Sequence, residues 1–354
     1  MITDKDEKSD PPRLQYIGFS YGTVLGNYFA SMYPGRVQRM ILDGVTDAVD
    51  WTHGPGWLTN IVDMDGTFDR FWDGCHQAGP SICALAKPSD TSSAEPKARF
   101  WAWVESLDAK PRSTIRAATG AIVTFSGYDV RSVVGKALTD PLTYFLSTAE
   151  ALDQAMSGND TLLVERLIRV GQIASLQDIY PVGGVFTAPT PIRESPSSIY
   201  CGDGEDISGK DVAWWQEYIN YQVGLSRLYG SFWASVRFAC SSWPFRPNWE
   251  FRGPFTSPTP DPGQIPGHPA APLLFLSNRL DPVTPLRSAR AMAVDHPGAA
   301  VVIQEALGHC VIGTAPSKCV WKIVADYFES GTVPSKETVC EADCGPWDKD
   351  CSPF

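Results

Sequence analysis

Short apolar runs that stop at a glycine-bearing turn, each followed by a helix-period pattern, mark both ends of this chain. Leu14-Gln-Tyr-Ile-Gly18 closes on Gly18-Phe-Ser-Tyr-Gly22, and a helical pattern runs from Thr23 to Tyr33 until Pro34-Gly35 stops it. Arg39-Met-Ile-Leu-Asp-Gly44 reads as the next strand with its turn. The same grammar returns near the end, where Pro272-Leu-Leu-Phe-Leu-Ser277 and Ala300-Val-Val-Ile-Gln304 bracket a helical Leu286 to Ala293. Helical crossovers between such runs imply parallel pairing, so the expected fold class is α/β with a mostly parallel sheet whose strands are split in sequence.

Between the two halves the texture changes to helices rich in aromatic residues. Leu142, Phe145, Ala149, Leu152 and Met156 step by three and four and make one apolar face. A longer single helix is expected through Trp214, Tyr218, Tyr221, Leu225, Leu228, Phe232 and Val236, with both stripes read as helix packing. A Pro- and Gly-rich stretch from Pro254 to Pro272 leads back to the sheet. The expected organisation is a first part of the core at 1–51, a mainly helical cap at 52–262, and a second part of the core with a disulfide-bonded tail at 263–354.

Composition narrows the function classes. A length of 354 residues, 43% hydrophobic and 19% charged, is enough to bury a full core. A net charge of -11 with no basic run argues against a nucleic-acid partner, because phosphate backbones are bound by clustered Lys and Arg. No apolar stretch approaches the ~20 residues that a membrane-crossing helix needs. The nine cysteines, with Cys75 near Cys83 and Cys344 near Cys351, look more like disulfides than metal ligands and point to secretion. The sequon Asn159-Asp160-Thr161 agrees. The charged first ten residues are not signal-like, so the natural start is expected upstream of Met1.

Chemistry concentrates in three places. Gly18-Phe19-Ser20-Tyr21-Gly22 matches a nucleophile elbow, a sharp strand-to-helix turn that lifts the serine hydroxyl above the sheet, with glycines at 18 and 22 expected for steric reasons. A serine at its free pKa is a poor nucleophile and needs a base, itself oriented by an acid. Of five histidines, His309 in Glu-Ala-Leu-Gly-His-Cys follows a strand and precedes a helix, whereas His53, His76, His268 and His296 have no comparable setting. Asp281, in Asn-Arg-Leu-Asp-Pro-Val-Thr-Pro, gives the order Ser, Asp, His; Asp43 at the end of an earlier strand is the rival acid. The backbone N–H of Tyr21 is the expected oxyanion donor. The second should come from a loop upstream of the elbow, where only nineteen residues stand; His53-Gly-Pro-Gly56 is read as a structural turn.

These residues resemble the tripeptidyl-aminopeptidase-like branch of the α/β-hydrolases, related to prolyl aminopeptidases. The resemblance rests on the elbow with Leu42-Asp-Gly-Val45, on Cys201 and Cys240-Ser-Ser-Trp-Pro244, and on the block from Leu274 through Asp281-Pro-Val-Thr-Pro285, Gly308-His309 and Gly331-Thr-Val-Pro334 to Cys340. It implies a secreted exopeptidase that releases short peptides from a free N-terminus under a helical cap. It also implies disulfides Cys75–Cys83, Cys201–Cys240 and Cys319–Cys340, leaving Cys344 with Cys351 and Cys310 unpaired. Relative to that family the strands and oxyanion loop before the elbow are absent, and the expectation is a fragment or a shortened gene product.

The expected reaction is acyl transfer from a peptide or small acyl substrate, by Ser20, His309 and Asp281, with no metal or organic cofactor. For the ammonium of a peptide, the acidic cluster Asp203, Glu205 and Asp206 is the candidate site. The rivals are an esterase or thioesterase on a small metabolite, since one triad serves both chemistries, and a non-catalytic binding protein.

Overall fold

A computed structural model describes residues 2–3, 12–116, 120–171, 194–263 and 265–352. Parts of the expected cap, 117–119 and 172–193, lie outside the described residues, as do most of the first eleven positions.

The main sheet has six strands: β1 (Ile2–Thr3), β2 (Leu14–Phe19), β3 (Val37–Asp43), β6 (Leu274–Leu280), β7 (Ala300–Leu307) and β8 (Thr338–Glu341), in that spatial order. β2, β3, β6, β7 and β8 run parallel, and β1 pairs antiparallel at the outer edge, where Ile2 meets Gln15. The register sets Phe19 beside Asp43 and Asp43 beside Leu276, which brings the strand ends that carry the chemistry to one rim. The central strands β3, β6 and β7 are buried on both sides, and successive residues divide between the two faces. Met40, Leu42, Phe275, Val301 and Ile303 pack on one face against helices α1 (Tyr21–Met32) and Leu286–Val294. Ile41, Leu274, Leu276 and Val302 pack on the other against Lys318–Ser330. Two-sided burial explains why these strands read as unbroken apolar runs rather than as alternating ones. This mostly parallel sheet with helices on both faces is an α/β-hydrolase fold.

Between β3 and β6 the described residues are mainly helical, with a core of their own around Phe68, Phe71, Trp72, Phe100 and Phe145. The helix expected through 142–156 spans Pro141–Met156 and buries Phe145, Ala149 and Leu152. Two features differ from expectation. The long helix of 214–236 is two, Val212–Leu225 and Gly230–Phe238. The break is held from outside: Asp65 accepts from the Ser226 hydroxyl at 2.5 Å and from the Arg227 N–H at 3.1 Å, so the turn finds partners that a continuing helix would have supplied. The insertion also holds a hairpin, β4 (Arg112–Ile115) with β5 (Ile122–Phe125), inside an otherwise helical segment.

Disulfides join Cys75 to Cys83, Cys201 to Cys240, Cys319 to Cys340 and Cys344 to Cys351, and Cys310 is a buried free thiol. Among the described residues no helix is long and apolar enough to cross a membrane.

Candidate active site

Ser20 sits where β2 ends and α1 begins, with φ 53° and ψ -121°. A left-handed φ is costly for a serine and persists only where the surroundings enforce it. They do so here through the Ser20 N–H, which donates to the Asp43 carbonyl at 3.1 Å, and the Ser20 carbonyl, which accepts from the Thr23 N–H at 2.8 Å and the Thr23 hydroxyl at 2.6 Å. The glycine requirement falls unevenly. A Cβ at Gly18 would lie 2.4 Å from the Gly22 carbonyl oxygen, whereas one at Gly22 would meet only the Tyr16 hydroxyl, at 3.1 Å. Tyr21 opens α1, so its N–H belongs to the first turn, whose donors have no acceptor within the helix.

Asp281 lies just beyond β6 and is fully buried. Five donors converge on its carboxylate. Val283 N–H (3.0 Å) and Thr284 N–H (2.8 Å) reach Oδ1, while the Thr284 hydroxyl (2.7 Å), Cys310 N–H (3.0 Å) and His309 Nδ1 (3.0 Å) reach Oδ2. Burial pushes its pKa up, but the charge of His309 and these hydrogen bonds outweigh it and hold the carboxyl below the usual range.

His309 follows β7, with its backbone N–H donating to the Thr139 carbonyl of the insertion at 2.8 Å. Carboxylate and hydroxyl oxygens face Nδ1, the latter Thr284 Oγ1 at 2.9 Å. This assigns the ring proton to Nδ1 and leaves Nε2 as the basic nitrogen. Burial lowers the imidazole pKa, but Asp281, by charge and hydrogen bond, and then the charge of Asp43 raise it above the ordinary value of 6.5.

Asp43, the rival acid, is fully buried, and its carboxylate accepts the Val311 and Ile312 N–H groups at 2.7 and 2.8 Å. It therefore grips the loop after the histidine, while its own carbonyl holds the Ser20 N–H. Burial pushes its carboxyl up to about 7 despite those two hydrogen bonds. From the sequence Asp43 reads only as an alternative acid, because its contacts with 311–312 leave no local signal. The other histidines lie elsewhere in the fold. His296 bridges Ser257 and Asn27 in the core, and burial lowers it to about 4. His53 caps a short helix, and His76 is in Met64–Ala78. The 53–56 turn faces the insertion: Arg237 donates to the Pro55 carbonyl at 3.3 Å, and the Tyr218 hydroxyl to the Gly56 carbonyl at 3.2 Å.

The acidic cluster after Cys201 separates into unlike members. The Asp203 carboxylate accepts the Tyr21 hydroxyl at 2.9 Å and the Trp51 indole N–H at 3.1 Å, both neutral donors, and burial raises its pKa. Glu205 lies 3.7 Å from the Arg252 guanidinium, and Asp206 binds the Ser208 N–H at 2.8 Å. The one of the three beside the elbow is Asp203. Among the described residues no group of three or more His, Cys, Asp or Glu is arranged to hold a metal ion.

Residues 226–340 match a family described as TAP-like protein, a span that includes Asp281 and His309 but not Ser20. Over 341 residues the chain is 21% identical to a tripeptidyl aminopeptidase of Streptomyces lividans, covering 94% of this chain and 56% of that protein. It is 24% identical over 338 residues to serine protease Hip1 of Mycobacterium tuberculosis, covering 93% and 58%. The chain thus spans a little over half the length of the curated relatives it matches.

Proposed function

From an α/β-hydrolase fold and a likeness to the TAP-like branch of that superfamily, we propose that this chain is a serine peptidase working through an acyl-enzyme. Ser20 Oγ attacks the scissile carbonyl as His309 Nε2 takes its proton; Asp281 holds the imidazole in the required tautomer and balances the imidazolium that forms. The Tyr21 N–H, at the positive end of α1, faces the developing oxyanion. Nε2 then hands the proton to the leaving amine, and water, activated by the same nitrogen, releases the acyl group.

The observation that carries this reading is the Asp281–His309 hydrogen bond of 3.0 Å, at the rim where a serine is held in a strained turn. The substrate class we propose is a peptide with a free N-terminus. What favours it is Asp203, a part-buried carboxylate satisfied by neutral donors and linked to the elbow through Tyr21; an ammonium would be its complement. Glu205, with Arg252 beside it, is the lesser candidate. Four disulfides support folding in an oxidising compartment, and with it secretion.

The test is chemical first. A fluorophosphonate should add once to the purified chain, seen by intact mass, and the adduct should vanish in Ser20→Ala and His309→Ala. Free-amine tripeptide amides should then be cleaved faster than their Nα-acetyl forms. A folded sample without an adduct would refute the reading, and cleavage of esters alone would turn it into an esterase.

A further inference from the structure

Beside the elbow lies a cavity of about 260 Å³ that the catalytic steps leave unused. One wall is a stripe of α1: Tyr21, Leu25, Tyr28 and Met32, spaced at four, three and four residues. The opposite wall is the chain returning from the insertion, with Trp249 and Phe251. Leu25 is 51% and Trp249 69% exposed, so both walls present apolar surface to the opening.

The charges at this cavity are not alike. Glu250, on its rim, is matched by Arg246 and by Arg252, whose Nε donates at 2.9 Å. Asp203, on the same cavity, has no ion pair among the described residues, and both of its side-chain hydrogen bonds fall on Oδ2. One uncompensated carboxylate against aromatic and aliphatic walls fits a ligand whose cationic group is attached directly to an apolar one. The N-terminal residue of a peptide has that form. Asp203 stands from the Tyr21 backbone by one tyrosine side chain and a 2.9 Å hydrogen bond.

Resting on the peptidase reading, we propose that this cavity holds the side chain of the substrate's N-terminal residue, with its ammonium on Asp203, and selects for large apolar side chains there.

The experiment uses the full chain with a series of X-Ala-Ala coumarin amides, where X is Phe, Leu, Gly or Asp, run beside fluorophosphonate labelling of Ser20. Phe and Leu should exceed Gly by about 10–100-fold in kcat/KM, the range that apolar pocket filling supports, and Asp should be poorest. Leu25→Trp, which fills the cavity from an exposed position, should abolish that preference, and Trp249→Ala, which opens it, should weaken the preference; Ser20 labelling is read in each variant to show that the protein is folded and reactive. Equal rates across X with Ser20 labelled, or a preference untouched by both substitutions, would overturn the pocket assignment and leave the peptidase reading standing. Absence of labelling in a folded sample would overturn both.

Discussion

The two buried aspartates make opposite demands on a substitution by asparagine, and that contrast tests the assignment of the acid. In Asp281→Asn, an amide nitrogen must replace one carboxylate oxygen. If it replaces Oδ1, it opposes two backbone donors, Val283 and Thr284 N–H; if Oδ2, it opposes only one, Cys310 N–H. The second orientation is the cheaper, because each unmatched buried donor costs ~1–3 kcal/mol. It also turns an N–H toward His309 Nδ1, which must then accept, and so the ring proton moves to Nε2. A histidine in that tautomer cannot take the Ser20 proton, and the expected loss is about 10⁴-fold in rate, or ~5.5 kcal/mol. Asp43→Asn leaves the tautomer alone. It opposes an amide nitrogen to the N–H of either Val311 or Ile312, so one of those bonds is lost, and it removes a carboxyl whose ionised form raises the His309 pKa. The rate at its plateau should therefore fall by no more than about 10-fold, while the acid limb moves to lower pH. The assay is the second-order rate of fluorophosphonate labelling from pH 5 to 9, with circular dichroism to confirm folding; it depends on no assumption about the substrate. A folded Asp43→Asn that is silent beside an active Asp281→Asn would refute the reasoning.

Three further outcomes follow from the same geometry. In the unsubstituted chain, reactivity needs neutral His309, whose pKa is raised, so labelling should fall as pH drops through a midpoint above 6.5, read from the same profile. Gly18→Ala, with its Cβ 2.4 Å from the Gly22 carbonyl oxygen, should force the elbow apart, lowering stability by about 1–3 kcal/mol in urea melts and slowing labelling more than Gly22→Ala does. Replacing Cys201 and Cys240 by serine opens a loop with a sequence separation of 39 and should cost about 4 kcal/mol of unfolding free energy on loop entropy; an unchanged urea midpoint would contradict it.

What could be read from the sequence was what neighbouring residues settle among themselves. β3, β6 and β7 are buried on both faces and β2 on one, so they appear as apolar runs, and each stops at or next to a residue whose chemistry depends on where the strand ends: Ser20, Asp43, Asp281 and His309. Parallel pairing then carries all four to one rim without any further information. What could not be read depends on contacts far apart in the chain. The helix break at 226–229 needs Asp65, and the apolar stripe runs through it because both halves contribute to the same two apolar clusters. The hairpin of 112–125 is too short, with Ile115 and Ile122 too exposed, to show a strand period. Asp203 reaches Tyr21 across 182 positions, and Asp43 reaches Val311 across 268. Neither spacing has a pattern, yet these contacts decide how the elbow is held and what lies beside it. The chemistry of the site is thus local in its parts and tertiary in its arrangement. The acid that faces the histidine can be chosen from strand order, but the acid that locks the histidine loop to the elbow emerges only when the strands are side by side.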